Sequence, residues 1–315
     1  MYYIGVDLGG TKIAAGLVTE EGDIIYQKDI PTLVGRPYQE ILKDMADLIL
    51  KVIHESNHTI EEIHSIGIGS PGIADTRNGE IIFANNLYWH HVPVRTEIQK
   101  YINKPIWVDN DANVAGLAEY VAGACKGADN SIVLTLGTGV GGGIIINGQV
   151  YKGSHNVGSE LGHMIIQVDG LPCTCGNKGC LERYASATAL IREGKLAANK
   201  NPSSLIYTKV NGNIEQITAK TVIDSAKERD TVAGVVFNQY IHYLSMGIIT
   251  IINSFDPEVI ALGGGISGAG QFLLDAIRQK VQESIFYKDQ PYARIELAQL
   301  GNNAGIIGAA MLGRK

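Results

Sequence analysis

The chain has 315 residues, 45% of them hydrophobic and 18% charged, so it is long enough to bury a large core and to form two domains. Its formal net charge is −6 and it has no run of basic residues, which argues against a nucleic-acid partner. The longest apolar stretch, residues 243–253, is interrupted by Ser, Gly and Thr and is too short to cross a bilayer, so no membrane partner is expected.

The first half of the sequence alternates strands and helices. Strands are predicted at residues 4–7, 12–18 and 24–30, with a glycine turn between the first two. Apolar residues recur at helical spacing from Ile41 to Ile53, behind Pro37, which predicts an amphipathic helix. Two further strands with a helix between them, at residues 63–69 and 106–109, make this half an α/β domain.

The second half resembles a copy of the first. A strand at residues 131–137 leads through a glycine turn, up to residue 143, into a returning strand at 144–147. The elements predicted after it are helices near residues 181–197, 221–227 and 231–253, a loop at 202–212, a strand at 259–262 and a small-residue helix at 302–312. Because the last helix is able to pack closely against the first half, we expect discontinuous domains of residues 1–123 with 301–315, and 124–300.

Three of the four cysteines lie in one short stretch. Cys173, Cys175 and Cys180 follow His163 closely, and three thiolates with one imidazole complete a tetrahedral zinc site of the structural type. An odd number of sulfurs fits a metal better than a disulfide network, and unligated thiols are the remaining alternative. The N-terminus has neither the charged nor the apolar segment of a signal peptide, so we expect a cytoplasmic protein, where disulfides are uncommon.

Three glycine turns follow buried strands. In the first, the backbone N–H groups of Gly9 and Gly10, the Thr11 hydroxyl and the Lys12 ammonium suit phosphate oxygens, while Asp7 suits magnesium held through water. A simple glycine hairpin is the alternative for this turn alone. The other two turns contain Gly137, Thr138 and Gly139, and Gly264 and Gly265. Together the three turns favour a nucleotide held between two related domains. A Rossmann dinucleotide site fits poorly, because the second turn runs into a strand rather than a helix.

Polar residues with candidate roles in catalysis lie near these turns. Asp111 begins a helix directly after a buried strand and is predicted to act as a base, with Asn110 as a hydroxyl ligand. The alternative is that Asp111 only caps the helix. Glu160, His163 and Glu182 bracket the cysteine cluster and suit a polyol with several O–H donors. Alternatively, a carboxylate there orients the metal-bound histidine.

Taken together, these motifs resemble the ROK family of sugar kinases and repressors. The family signature Cys-x-Cys-Gly-x-x-Gly-Cys-x-Glu is met in full from Cys173 to Glu182. The other matching motifs, in chain order, are Asp7-Leu-Gly-Gly-Thr-Lys12, Ser70-Pro-Gly72, Asp109-Asn-Asp-Ala-Asn113, Leu136-Gly-Thr-Gly139, Gly158-Ser-Glu-Leu-Gly-His163 and Leu262-Gly-Gly-Gly265.

The resemblance implies an α/β protein with the actin-like (ribonuclease H-like) ATPase fold, in which two related domains enclose MgATP and sugar in a cleft. It implies transfer of the γ-phosphoryl group of ATP to the 6-hydroxyl of a hexose, expected to be glucose, with Asp111 as general base. It also implies a structural zinc ion that does not touch phosphate, and a homodimer or homotetramer. The sugar ligands it implies are Gly72, Asn85 or Asn86, Asn110, Asp111, Glu160, His163 and Glu182.

The segment after Asn86 departs from the family pattern. Members often read Asn-Leu-Pro-Gly-Trp, whereas this chain has Asn86-Leu-Tyr-Trp-His90. The preferred sugar therefore stays open among glucose, N-acetylmannosamine, fructose, allose and mannose. A sugar-sensing repressor is the alternative from another class, but such proteins usually carry a winged-helix domain before the first strand. Here that strand begins at residue 3, so a kinase is expected.

Overall fold

Two five-stranded sheets and one smaller sheet form the framework of the protein, whose computed structural model describes residues 1–314. Across the first sheet lie β3 (Ile24–Pro31), β2 (Lys12–Thr19), β1 (Tyr2–Leu8), β4 (Ile63–Ser70) and β8 (Ile106–Asn110). Across the second lie β11 (Gln149–Val150), β10 (Val140–Ile146), β9 (Ser131–Leu136), β12 (Val259–Gly263) and β13 (Arg294–Leu297). The two orders correspond strand for strand, which confirms the predicted duplication.

The third sheet is an antiparallel meander of β5 (Ile73–Asp75), β6 (Glu80–Ala84) and β7 (Trp89–Val92). The helices within residues 1–314 are α1 (Tyr38–Glu55), α2 (Val94–Gln99), α3 (Asp111–Ala122), α4 (Glu182–Ala185), α5 (Ala187–Lys200), α6 (Leu205–Thr208), α7 (Ala219–Lys227), α8 (Thr231–Phe255), α9 (Gln271–Ser284) and α10 (Ala304–Met311).

The chain divides into two units. The first contains Met1–Val133, Gly143–Ser159 and the segment from Gln299 onward, and the second contains Leu134–Gly142 and Glu160–Ala298. In the first unit, the pattern that predicted α1 is confirmed, since its apolar face is buried from Ile41 to Ile53 and Pro37 occupies its N-cap position. Pro is suited to a helix start because it has no N–H to leave unbonded.

Glycines allow α10 to lie directly on the first sheet and on α3. A Cβ atom at Gly5 would lie 1.8 Å from the carbonyl oxygen of Ile306, and one at Gly67 would lie 1.7 Å from that of Ala309. A Cβ atom at Gly308 of α10 would lie 1.8 Å from the carbonyl oxygen of Val114 in α3. Backbone contact this close requires glycine, so the predicted close packing of the C-terminal helix on the first half is confirmed.

Four local predictions differ from the structure. The glycine turn after β9 is short, and β10 begins at Val140, so Gly141 to Gly143 are strand rather than turn. The helix predicted near 181–197 is broken at Ser186, whose extended backbone separates α4 from α5. The predicted loop at 202–212 contains the short helix α6, which is capped by Ser204. The helix predicted before β8 is only the six-residue α2, preceded by the unpredicted β5–β7 sheet.

Within residues 1–314, one helix, Thr231–Phe255, is long and apolar enough to cross a membrane by length and composition. In the structure, 61% of its most apolar window is buried inside the protein. It carries apolar side chains around most of its circumference because α5, α7 and α9 pack against it. This is the pattern of a core helix.

Glu119 is a buried carboxylate that joins two distant parts of the first unit. Its side chain is 1% exposed and lies near the end of α3. Oε2 accepts a hydrogen bond from the backbone N–H of Ala124 at 2.7 Å, and Oε1 accepts from those of Leu300 at 2.9 Å and Gln299 at 3.0 Å. The carboxylate therefore ties the end of α3 to the segment that leads into α10.

We expect Glu119→Gln to lower the free energy of unfolding by at least about 2 kcal/mol, because an amide nitrogen would face backbone N–H donors that it cannot bond. Urea unfolding at constant pH measures the change. The exposed Glu21 provides a control, and Glu21→Gln should change stability by less than about 0.5 kcal/mol. Equal stability of the two variants would contradict this role for Glu119.

Candidate active site and metal centre

Three cysteines and one histidine converge in the second unit. One ligand atom from each of His163, Cys173, Cys175 and Cys180 lies within 4.8 Å of all the others. Cys175 Sγ lies 3.6 Å from Cys180 Sγ, and Cys173 Sγ lies 3.7 Å from His163 Nδ1. The predicted ligand set is thus brought together in one cluster, and its cysteines are not paired in disulfides.

The spacing of this cluster fits a tetrahedral zinc ion. Zn–S bonds of about 2.3 Å and Zn–N bonds of about 2.0 Å place neighbouring ligand atoms about 3.6–3.8 Å apart. Burial raises the pKa of the Cys180 thiol to about 12, whereas a hydrogen bond from the Asn177 backbone lowers the pKa of Cys175. A metal bound here must displace thiol protons, so the occupancy of the site should decrease as the pH is lowered.

Tight backbone turns bring these ligands together. Cys173 donates its N–H to the carbonyl oxygen of Asn177 at 2.8 Å, which closes the loop that carries Cys175. Gly179 has φ +79°, and a Cβ atom there would lie 1.8 Å from the carbonyl oxygen of Gln167. Only glycine suits that position, which explains the glycine directly before Cys180.

Glu182 lies between the cluster of three cysteines and one histidine and the second glycine turn. Its Oε1 is 3.9 Å from Cys173 Sγ, and its Oε2 accepts a hydrogen bond from the Val140 N–H at 3.2 Å. A Cβ atom at Gly139 would lie 2.1 Å from the same Oε2. Glu160 immediately precedes the 3-10 turn Leu161–His163, and its carbonyl oxygen accepts from the His163 N–H at 3.0 Å. Glu160 and His163 therefore share one turn.

The second and third glycine turns lie side by side in the second unit. A Cβ atom at Gly264, where φ is +81°, would lie 2.6 Å from the carbonyl oxygen of Leu136, the last residue of β9. The start of α5 also meets the second turn, because Ala187 N–H donates to Gly137 O at 2.8 Å. Thr188 Oγ donates to Thr138 O at 2.7 Å. Sequence reasoning missed Thr188, although its place just after the Ser186 N-cap marks a helix start.

The first glycine turn lies in the first unit, with the Thr11 and Lys12 side chains accessible and the Gly9 N–H used inside the turn. Gly9 N–H donates to Lys12 O at 2.9 Å, which closes the turn, and the side chains of Thr11 and Lys12 are exposed. The Asp7 carboxylate lies against Gly305 in the first turn of α10. Burial raises the pKa of Asp7, and the nearby Lys12 ammonium opposes that rise. A cation near Asp7 would offset the cost of burying its charge.

The predicted sugar ligands of the first unit form contacts with one another. Asn110 Nδ2 donates to Gly72 O at 2.8 Å, and Asn110 Oδ1 accepts from the N–H groups of Ala112 at 2.8 Å and Asn113 at 3.3 Å. Asn110 is therefore the N-cap of α3. Asp111 is the first residue of the helix, and its side chain is exposed. Because an amide nitrogen carries two hydrogens, Asn110 keeps one for a ligand.

The segment of Asn85 and Asn86 lies beside the first glycine turn. These two residues begin the 3-10 turn Asn85–Leu87, and a Cβ atom at Gly10 would lie 3.3 Å from Asn86 O. Tyr88 follows in the left-handed conformation with φ 57° and is 77% exposed, while Trp89 is buried. The departure from the family pattern therefore places a tyrosine ring in solvent next to the predicted sugar ligands.

The chain is similar over its whole length to sugar kinases. Residues 3–315 match the model of the ROK family. The glucokinase of Thermotoga maritima is 38% identical over 310 residues, which cover 98% of this chain and 96% of that protein. The crystal structure of a ROK family glucokinase from Streptomyces griseus, in complex with glucose and AMPPNP, matches with a TM-score of 0.84 and 36% identity, covering 100% of this chain and 99% of that one.

Repressors also match. The xylose repressor of Caldicellulosiruptor bescii is 30% identical over 305 residues, which cover 97% of this chain and 76% of the repressor. The kinase matches have higher identity and cover almost all of both chains. With its duplicated sheets and glycine turns, the chain has the actin-like ATPase fold and belongs to the ROK family.

Proposed function

We propose that this protein is a glucokinase, which transfers the γ-phosphoryl group of MgATP to the 6-hydroxyl of glucose. The observation that carries the proposal is the full-length similarity to a glucokinase solved with glucose and AMPPNP. The motifs that suit a nucleotide and a polyol occur in both this chain's units, on strand ends and helix starts. Rigid elements of this kind hold reacting groups in fixed geometry.

Asp111 is the proposed general base. Its carboxylate is exposed at the first residue of α3, directly after the buried end of β8. Helix capping does not require it, since Asn110 supplies the cap. In the proposed reaction Asp111 accepts the proton of the sugar 6-hydroxyl as the oxygen attacks the γ-phosphorus and the bond to ADP breaks.

The proposed sugar ligands are polar groups that suit hydroxyls. Gly72, Asn85 or Asn86, and the remaining Nδ2 hydrogen of Asn110 contact hydroxyls. Glu160 and Glu182 accept hydrogen bonds from sugar hydroxyls. His163 presents Nδ1 to the metal cluster, so its Nε2 carries the proton and donates to the sugar. The zinc ion proposed at this cluster is structural: with four protein ligands it has no open position for substrate.

The glycine turns are proposed to bind ATP. The N–H groups of Gly9 and Gly137 bond carbonyl oxygens within their own turns. The other backbone N–H groups of the first and second turns, with the exposed Thr11 and Lys12 side chains, contact phosphate oxygens, and the third turn lies near the adenosine. Asp7 would hold Mg²⁺ through water, and the ion would supply positive charge against the phosphates. The proposed ligands are Asp7, Gly9, Gly10, Thr11, Lys12, Gly137, Thr138, Gly139, Gly264 and Gly265.

We propose a small domain of residues 1–123 with 301–315 and a large domain of residues 124–300. We further propose a cytoplasmic enzyme that forms a homodimer or homotetramer and binds neither membrane nor nucleic acid. Multi-angle light scattering at micromolar concentration measures the assembly state.

A coupled ATP assay over a panel of hexoses tests the function. We expect glucose to give the highest kcat/KM among glucose, mannose, fructose, allose and N-acetylmannosamine, because differences at the second or third carbon change the polar contacts made in the transition state. A much higher kcat/KM for N-acetylmannosamine would overturn glucose as the substrate. A chain that binds glucose but phosphorylates no hexose would instead favour a sugar sensor, as the repressor similarity allows.

A further inference from the structure

A buried carboxylate directly precedes the proposed catalytic residues. The side chain of Asp109, in β8, is 2% exposed. Its Oδ1 accepts hydrogen bonds from the Asn110 N–H at 2.8 Å and from Asn113 Nδ2 at 3.0 Å. These two partners flank Asp111 in sequence, so the Asp109 carboxylate contacts the start of α3 on both sides of Asp111.

The other oxygen of Asp109 is paired with a lysine by charge. Lys152 Nζ lies 2.6 Å from Oδ2, and Oδ2 receives no aligned hydrogen bond from Lys152 or from any other group in residues 1–314. A carboxylate so deeply buried requires a compensating charge. Lys152 supplies it from the segment after β11, 43 residues further along the chain and in the same unit.

The backbone around Lys152 is fixed by a narrow loop. Gly158 N–H donates to Lys152 O at 2.9 Å, and Ser159 Oγ donates to Tyr151 O at 2.8 Å. A Cβ atom at Gly158 would lie 2.8 Å from Gly153 N, so glycines are needed where the two ends of the loop meet. Lys152 is therefore presented from an anchored backbone, and its side chain is only 30% exposed.

We propose that Lys152 is a positioning residue for the phosphoryl-transfer site. Its ammonium fixes Oδ2 of Asp109, so that Oδ1 holds Asn110 and Asn113 and Asp111 is presented in the reactive position. The proposal rests on the proposed kinase function. Without the ammonium, the buried carboxylate must turn toward another partner or toward water, and the start of α3 shifts with it. A displacement of about 1 Å at reacting groups can lower turnover about a hundredfold.

The test compares Lys152→Met with Lys152→Arg and with Lys28→Met. Lys28 also pairs with a carboxylate, that of Glu55 at 2.8 Å, but it has no place in the proposed site. At a temperature where all variants are folded, we expect Lys152→Met to lower kcat about tenfold to a hundredfold and to raise KM for glucose, with KM for MgATP changed less than about twofold. Lys152→Arg should restore most of the turnover, and Lys28→Met should match wild type.

Hydrogen exchange provides a readout that does not depend on activity. The N–H groups of Asn110, Ala112 and Asn113 should exchange faster in Lys152→Met than in Lys28→Met, because their acceptors are no longer fixed. If Lys152→Met does not fold, Asp109→Asn combined with Lys152→Met leaves no unpaired buried charge, and the same losses of turnover and protection are expected. A folded variant with wild-type turnover and exchange overturns the proposal. Wild-type protein without kinase activity refutes the function instead, and the exchange rates then decide the role of Lys152.

Discussion

Asp111→Asn is expected to lower kcat at least about a hundredfold, while glucose affinity and folding stay close to wild type. The amide has almost the shape of the carboxylate but cannot accept the proton of the sugar hydroxyl. Its oxygen can still accept the bond that the carboxylate takes from the Ala112 N–H at 2.8 Å. Asn110 continues to cap α3, so the helix start has no reason to move. Steady-state kinetics with glucose and equilibrium binding of glucose measure the two quantities separately.

Asp230→Asn is the matched control, because it makes the same chemical change at another helix start. Asp230 caps α8 through Ala233 N–H at 2.7 Å and lies outside the proposed site. Turnover of this variant should equal that of wild type. If Asp111→Asn also turned over at nearly the wild-type rate, Asp111 would not be the base. A loss of glucose binding equal to the loss in kcat would assign Asp111 to sugar binding alone.

The sequence predicted most of the framework because many of its elements are specified locally. The apolar face of α1 repeats at helical spacing, and β1 and β2 are apolar runs separated by a glycine turn. Glycine has a low strand propensity, so the start of β10 looked like turn. In the structure, a Cβ atom at Gly143 would lie 2.4 Å from Ala112 O, which means that this strand uses glycine to approach α3. The strand conformation at the start of β10 therefore depends on a contact with a distant segment, which no local sequence pattern contains.

The same distinction applies to the candidate site. The cysteine cluster could be predicted from the sequence because three of its candidate ligands lie within eight residues. The contact of Glu182 with Val140 spans 42 residues, and that of Thr188 with Thr138 spans 50. No spacing rule relates such pairs, since they depend on how strands and helices pack. Asn110 illustrates an intermediate case: the motif marked it as a ligand, but only the geometry identified it as the N-cap of α3.

Purified protein is expected to contain about one zinc ion per chain, and Cys175→Ser should lower zinc affinity about a hundredfold or more. The serine hydroxyl stays protonated and cannot replace a thiolate ligand. Cys175 is exposed, so its replacement creates no cavity and any loss of stability comes from the metal site. We expect a lower melting temperature and weaker glucose binding, because the loop no longer fixes His163 and Glu182. Elemental analysis and thermal unfolding, with and without a chelator, measure these effects.

Cys125→Ala removes a thiol outside the cluster and is the control for zinc content. It should retain one zinc ion per chain, whatever its effect on packing. The wild-type protein should also lose zinc as the pH is lowered, since protons compete for the thiolates. An active preparation without metal would show that the protein does not need zinc. A Cys175→Ser variant that lost zinc but bound glucose normally would show that the loop holds its shape without the ion, and that Glu182 is then fixed by its bond to Val140 alone.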